Sequence, residues 1–136
     1  MKRTHLLNRD LSALVAELGH LDEIVVADAG LPAPCGVPVI DLAVRPGLPT
    51  LFQVMDALKS EMVVQAAHRA EECAADLAAR MAETLEAWET AQDKQVNFGT
   101  LAHADFKTRC QTVKAIIRTG DFTPYSNLIL VSGVPF

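Results

Sequence analysis

Short runs rich in β-branched residues, separated by segments with helical spacing, recur along this chain from end to end. EIVVAD (Glu23 to Asp28) is the clearest. It is too short for a helix and stops in AGLPAPCG, where glycine and proline force a loop, so it reads as a buried strand. VPVIDLAV (Val37 to Val44), KQVNFGT and NLILVS read as further extended pieces. Between them, Leu11, Leu14, Val15 and Leu18 share one helical face, with Asp10 as a start and Gly19 as a stop. Thr50 caps a helix running to Lys59, and Leu77, Met81, Leu85 and Trp88 repeat at helical spacing over Ala74 to Gln92. HADFKTRCQTVKAIIRTG reads as a last helix, closed by Gly120, with Arg118 near its negative dipole end. EMVVQAAHRAEE is ambiguous: its opening favours a strand, its alanines a helix. Alternating strands and helices predict one α/β domain over residues 1–136, a central β-sheet flanked by helices in three α/β/α layers.

Half of the 136 residues are hydrophobic against 21% charged, and the mean hydropathy is +0.19. That is rich for a body of this size. No apolar run reaches the length of a membrane span, and MKRTHLLNRD lacks a signal-peptide core. The surplus then has two outlets: subunit contacts, because large apolar patches rarely stay exposed, or an unusually apolar monomer core. The net charge of −5 argues against a general nucleic-acid binder, which needs a basic stripe to displace counterions. Cys35, Cys73 and Cys110 are widely spaced and form no CxxC pair, which points to reduced packing thiols in a cytosolic protein.

Several positions carry candidate chemistry, each beside a plainer reading. His20 follows the glycine that ends the first helix, where the dipole favours a cation and hence a proton donor; it also suits a surface cap. Asp28 ends the EIVVA strand, and ligands of open α/β sheets gather at such carboxyl ends; a turn aspartate satisfying loop amides fits equally. His103 and Lys107 share a helical face, as ligand contacts or as a solvated helix start. Tyr125 and Asn127 in PYSN offer donors and acceptors suited to a polyol, or simply make a bend. His68 and Glu72 stand four apart, but without a third ligand an exposed hydrogen-bonded pair is the better reading than a metal site. Glu71 with Glu72 reads as a solvated acidic edge. There is no dinucleotide fingerprint, phosphate loop or nucleophile elbow, so no cofactor and no metal is expected.

Together, LGHLDEIVVADAGLPAP, the EM…AEE stretch, HADFK and IIRTGDFTPYSNLILVSGVPF fall into a specific order spanning essentially the whole chain. In that order the chain resembles the D-ribose pyranase family, related to the L-fucose mutarotases. The resemblance implies a cofactor-free cytoplasmic enzyme that interconverts the pyranose and furanose forms of free D-ribose. It implies His20 as proton donor and Asp28, His103, Tyr125, Ser126 and Asn127 as substrate-binding positions, with Lys107 a further candidate in the pocket. Ser126 stands where the family usually has alanine. The resemblance also implies a homo-oligomeric ring, typically a decamer of two pentamers. A mutarotase for L-fucose or another sugar, and a ribose-binding module without catalysis, are the alternatives.

Overall fold

The computed structural model describes residues 1–136. Its strands are β1 (Glu23–Ala27), β2 (Val39–Asp41), β3 (Val64–Ala70), β4 (Asn97–Leu101), β5 (Ala115–Arg118) and β6 (Leu128–Ser132). They form one six-stranded sheet in the order β2-β5-β1-β6-β3-β4. Only β6 runs against its neighbours, β1 and β3; all other pairings are parallel. The carboxyl ends of five strands and the start of β6 therefore share one end of the sheet, called here the upper end.

Successive β1 side chains point to opposite faces. Ile24 and Val26 join the larger core under α1 (Arg9–Glu17), α2 (Leu51–Lys59) and α3 (Ala75–Gln92). Val25 and Ala27 meet Phe106 of α4 (His103–Arg109) and Cys110 just past its end on the other face, with Ile116 and Ile129 beside them. Burial on both sides explains why EIVVA is an unbroken apolar run rather than an alternating one. The three α/β/α layers expected from the sequence are present, three helices on one face and one on the other.

Thr50 forms the expected cap of α2, and a full capping box with Gln53. Leu77, Met81, Leu85 and Trp88 are the buried stripe of α3, and the Trp88 indole N–H donates to the Met62 carbonyl at 3.0 Å.

Other expectations are corrected. α1 is capped by Asn8, whose side chain accepts from the amides of Asp10 and Leu11; Asp10 instead meets Arg9. Leu18 is already extended, so Gly19 is not the helix stop. The ambiguous EMVVQAAHRAEE becomes β3, because its place between β6 and β4 decides what its composition left open. HADFKTRCQTVKAIIRTG is not one helix. It breaks after Arg109, and Ala115 to Arg118 form β5, buried between β1 and β2. A two-sided apolar strand has no alternation to distinguish it from a helix segment. Gly120 is consequently no helix cap: a Cβ there would collide with the carbonyl oxygens of Leu48 and Arg45, whose turn it packs against. Cys73 and Cys110 are buried packing thiols as expected, whereas Cys35 is exposed. No helix is long and apolar enough to cross a membrane.

Candidate active site

The upper end collects most of the residues singled out above. Asp28 leaves β1 into a turn in which its Oδ1 accepts the Gly30 amide at 2.8 Å. Its Oδ2 accepts from the Asn127 side-chain amide at 2.8 Å, and its own N–H donates to Asn127 Oδ1 at 2.8 Å. β1 and β6 are hydrogen-bonded neighbours, so the end of one and the start of the other meet without any intervening element. Asn127 is 2% exposed, and its amide is committed to Asp28. The carboxylate is thereby fixed in orientation, while each oxygen keeps accepting capacity for a hydroxyl from outside.

The segment leading to Asn127 is equally tied down. Thr119 donates its hydroxyl to the Ala27 carbonyl at 2.8 Å and accepts the Asp121 amide at 3.1 Å. Asp121, buried, accepts the amide of Thr123 at 2.9 Å and that of Leu51, the first residue of α2, at 3.2 Å. Burial pushes its carboxyl up, but these donors more than offset that and hold it below the usual aspartate value. Ser126 is fully buried in the same neighbourhood; its hydroxyl faces the Asp121 carboxylate without completing a well-formed hydrogen bond. Tyr125 sits at φ 61°, a left-handed conformation that a tyrosine holds only where its surroundings impose it, as they often do at ligand sites.

His103 opens α4, and its ring meets that of Tyr125 edge-on, with centroids 5.1 Å apart and planes at 85°. Ala102 has no side chain to cap this helix. Glu72, just past β3, does so from another element: both its oxygens accept the His103 amide, each at 3.1 Å. Its own backbone amide and that of His103 hold the Glu72 carboxyl below its ordinary value. His103 Nδ1 is buried without a partner. Lys107, one turn along α4, is exposed and lines a cleft of about 430 Å³ with Pro32, Pro34 and Ala104, at the margin of the group. A second cleft, of about 470 Å³, opens beside Asp28 between Gly30 and the Arg118 to Pro124 segment, with exposed Phe122 at its lip.

His20 is not part of this assembly. It precedes β1, so β1 alone, four rises of about 3.3 Å or roughly 13 Å, separates its turn from that of Asp28. At the lower end the Leu21 amide donates to the Ser132 carbonyl at 3.0 Å, and His20 Nε2 lies 2.9 Å from Gln65 Oε1. The structure thus brings Asp28, His103, Tyr125, Ser126 and Asn127 to one end, with Lys107 at the margin, and leaves His20 at the other.

The His68 and Glu72 pair does not exist. His68 lies within β3, half-buried, where burial first and Arg109 second push its pKa down, and Glu72 has turned away to His103. The sequence reading passed over Asp121 and Gln65 and placed Glu72 on a solvated acidic edge, away from the α4 start that it caps. Asp121-Phe-Thr carries a legible signal, an aspartate two residues before an amide it can accept. Glu72 and Gln65 carry none, because their partners belong to distant segments.

A sequence profile of the RbsD / FucU transport protein family matches residues 1–135. A D-ribose pyranase of Aeromonas hydrophila is 48% identical over the whole of both chains. The structure of Bacillus subtilis RbsD complexed with D-ribose superimposes with a TM-score of 0.85, at 43% identity over the full length of both chains. That of a Streptococcus pneumoniae fucose mutarotase in complex with L-fucose gives 0.78 at 25% identity, covering 98% of this chain and 99% of that one. With its sequence matched from end to end and its sheet and helices reproduced, this chain belongs to the RbsD / FucU transport protein family.

Proposed function

We propose that this chain is a D-ribose pyranase, an isomerase that interconverts the pyranose and furanose forms of free D-ribose. The observation that carries the reading is the locked Asp28–Asn127 pair beside His103 and Tyr125, in a chain 43% identical to RbsD, whose solved structure holds D-ribose. Asp28 accepts from sugar hydroxyls, and Tyr125, Ser126 and Asn127 form the segment that closes on them. His103 and Lys107 bound the sugar from α4.

The reaction needs a proton on the ring oxygen O5 as C1–O5 breaks, and removal of the anomeric hydroxyl proton as C1 becomes an aldehyde. The C4 hydroxyl then adds to C1, losing its proton while the aldehyde oxygen gains one, and the charges balance. His20 is the proton donor in this reading. A positioned acid contributes about 10²–10⁴-fold, and orientation of the open chain supplies the remainder.

Because His20 and Asp28 stand at opposite ends of β1, one pentose cannot touch both within a chain. The site is therefore composite: the lower end of one copy supplies His20 to the upper end of the next. Such head-to-tail contacts form a ring when their rotation closes, and two such five-membered rings paired into a decamer are the assembly proposed. Leu21 beside His20 is 58% exposed, and Phe122 at the lip of the Asp28 cleft is 68% exposed, which gives both ends an apolar surface to bury. A reducing, cytoplasmic setting suits the free thiols.

Saturation-transfer NMR tests the function directly. Catalytic amounts of protein should accelerate ribose ring exchange well above that of fucose, and His20→Ala should lose nearly all of it. Faster fucose exchange would make the chain a fucose mutarotase, and ribose binding without exchange would make it a binding module.

A further inference from the structure

Gln65 occupies the one irregular position in the sheet. Val64 faces Ser132 and Ala66 faces Val131, so Gln65 between them has no partner of its own on β6. A bulge of this kind re-aims a side chain, and bulges concentrate next to active sites. Here the side chain it aims is the one that meets His20, with Gln65 Oε1 at 2.9 Å from His20 Nε2. Gly133 makes the room for it: a Cβ at that position would stand 3.3 Å from the Gln65 Cβ and 3.1 Å from Val63 Cγ1.

With its amide oxygen toward the ring, Gln65 accepts, and the His20 Nε2 it faces is then the protonated nitrogen. Which nitrogen of a neutral imidazole is protonated is set by the hydrogen bond the other makes. With Nε2–H engaged by Gln65, the neutral ring keeps its lone pair on Nδ1, and the protonated ring has its transferable hydrogen there. We infer that Gln65 is a positioning residue for the proton donor, fixing the tautomer and plane of the His20 ring so that Nδ1 is turned toward the sugar of the adjoining copy. This rests on the assignment of His20 made above.

The neutrality of Gln65 matters, because no carboxylate hydrogen-bonds His20. Asp22, in the same turn, accepts the Gly19 amide at 2.8 Å and pairs with Lys114 at 3.5 Å. Glu61, ahead of β3, is taken by Lys2 at 2.9 Å. Glu17 ends α1, and Lys94, across the small cleft from Gln65, reaches the Phe136 carbonyl at 3.3 Å. Ser132 and Gly133 at the end of β6 are uncharged. The ring is thus steered by a dipole rather than by an ion pair.

The test is long-range ¹H–¹⁵N NMR of histidine-labelled full-length protein, read together with ribose exchange rates. The wild type should show neutral His20 as the Nε2–H tautomer. Gln65→Leu should lose that preference and lower kcat roughly three- to tenfold, the scale of one neutral hydrogen bond, with KM held. Gln65→Glu should restore the tautomer and most of kcat. It should also raise the proton-donor limb of the pH profile by about one unit, as a nearby carboxylate does. An Nδ1–H tautomer in the wild type, or a Gln65→Leu protein with unchanged tautomer or unchanged kcat, would overturn the inference. His20→Ala measured alongside keeps the two assignments apart: retained exchange there strikes the donor itself, whereas the tautomer result concerns Gln65 alone.

Discussion

Asp28 and His20 bracket the same strand, yet one is held by three hydrogen bonds of 2.8 Å and the other by a single contact to an exposed ring. In the function proposed above, the upper end serves recognition. Its carboxylate is oriented before any sugar arrives, by a buried amide and by a loop pinned to both Ala27 and α2, so binding need not order it. The lower end offers an accessible imidazole with one partner to steer it. In the function proposed above, rigidity is required where hydroxyls are read and exposure where a proton is delivered to another copy, and these opposite requirements would fall at opposite ends of one sheet.

The contrast can be broken from either side. The largest effect belongs to His20→Ala, which should cost about 10²–10⁴-fold in exchange while leaving ribose affinity intact by calorimetry. A joint loss of affinity would put His20 among the binding groups and erase the distinction. Asn127→Ala removes a charge-assisted hydrogen bond from Asp28 and should weaken ribose binding about tenfold, with kcat much less affected. Unchanged affinity would mean that Asp28 does not depend on its lock.

Asp121→Asn is the smallest of the three and acts through stability. Its carboxyl is held below the usual aspartate value by the amides it accepts. The stability it adds is therefore fully present above the unfolded value of about 3.9 and lost as pH falls through the depressed folded value. At neutral pH the variant should melt about 5 °C lower, and the gap should narrow below pH ~4 as the wild type loses its own carboxylate. A gap independent of pH would show that Asp121 acts by packing alone.

How much of this was legible in the sequence follows from what each feature depends on. β1 and β6 were readable because apolar runs bounded by turn residues need no partner to be recognised. β5 was not, because AIIR between helix-forming neighbours becomes a strand only when β1 and β2 flank it. The candidate site residues were readable as motifs, and the EIVVA strand between LGH and DAGLP already set His20 apart from Asp28, but the contacts that fix them were not: the hold of Glu72 on the His103 amide joins segments far apart in the chain. Asn127 reads in the sequence as a group suited to a polyol or as part of a bend, and its side-chain bond to Asp28 was not legible because Asp28 lies 99 residues away. Gln65 was invisible because a bulge is a property of two strands in register, and β6 lies more than sixty residues away in the sequence.

Co-expression of differently tagged His20→Ala and Asp28→Ala chains, with purification of the mixed oligomer, tests most directly whether one site is shared between copies. Each variant alone should be inactive. In the mixture, one contact in four joins an intact His20 to an intact Asp28, so about a quarter of wild-type ribose exchange should return. A mixed oligomer as inactive as its parents would contradict the shared site and return both residues to a single chain.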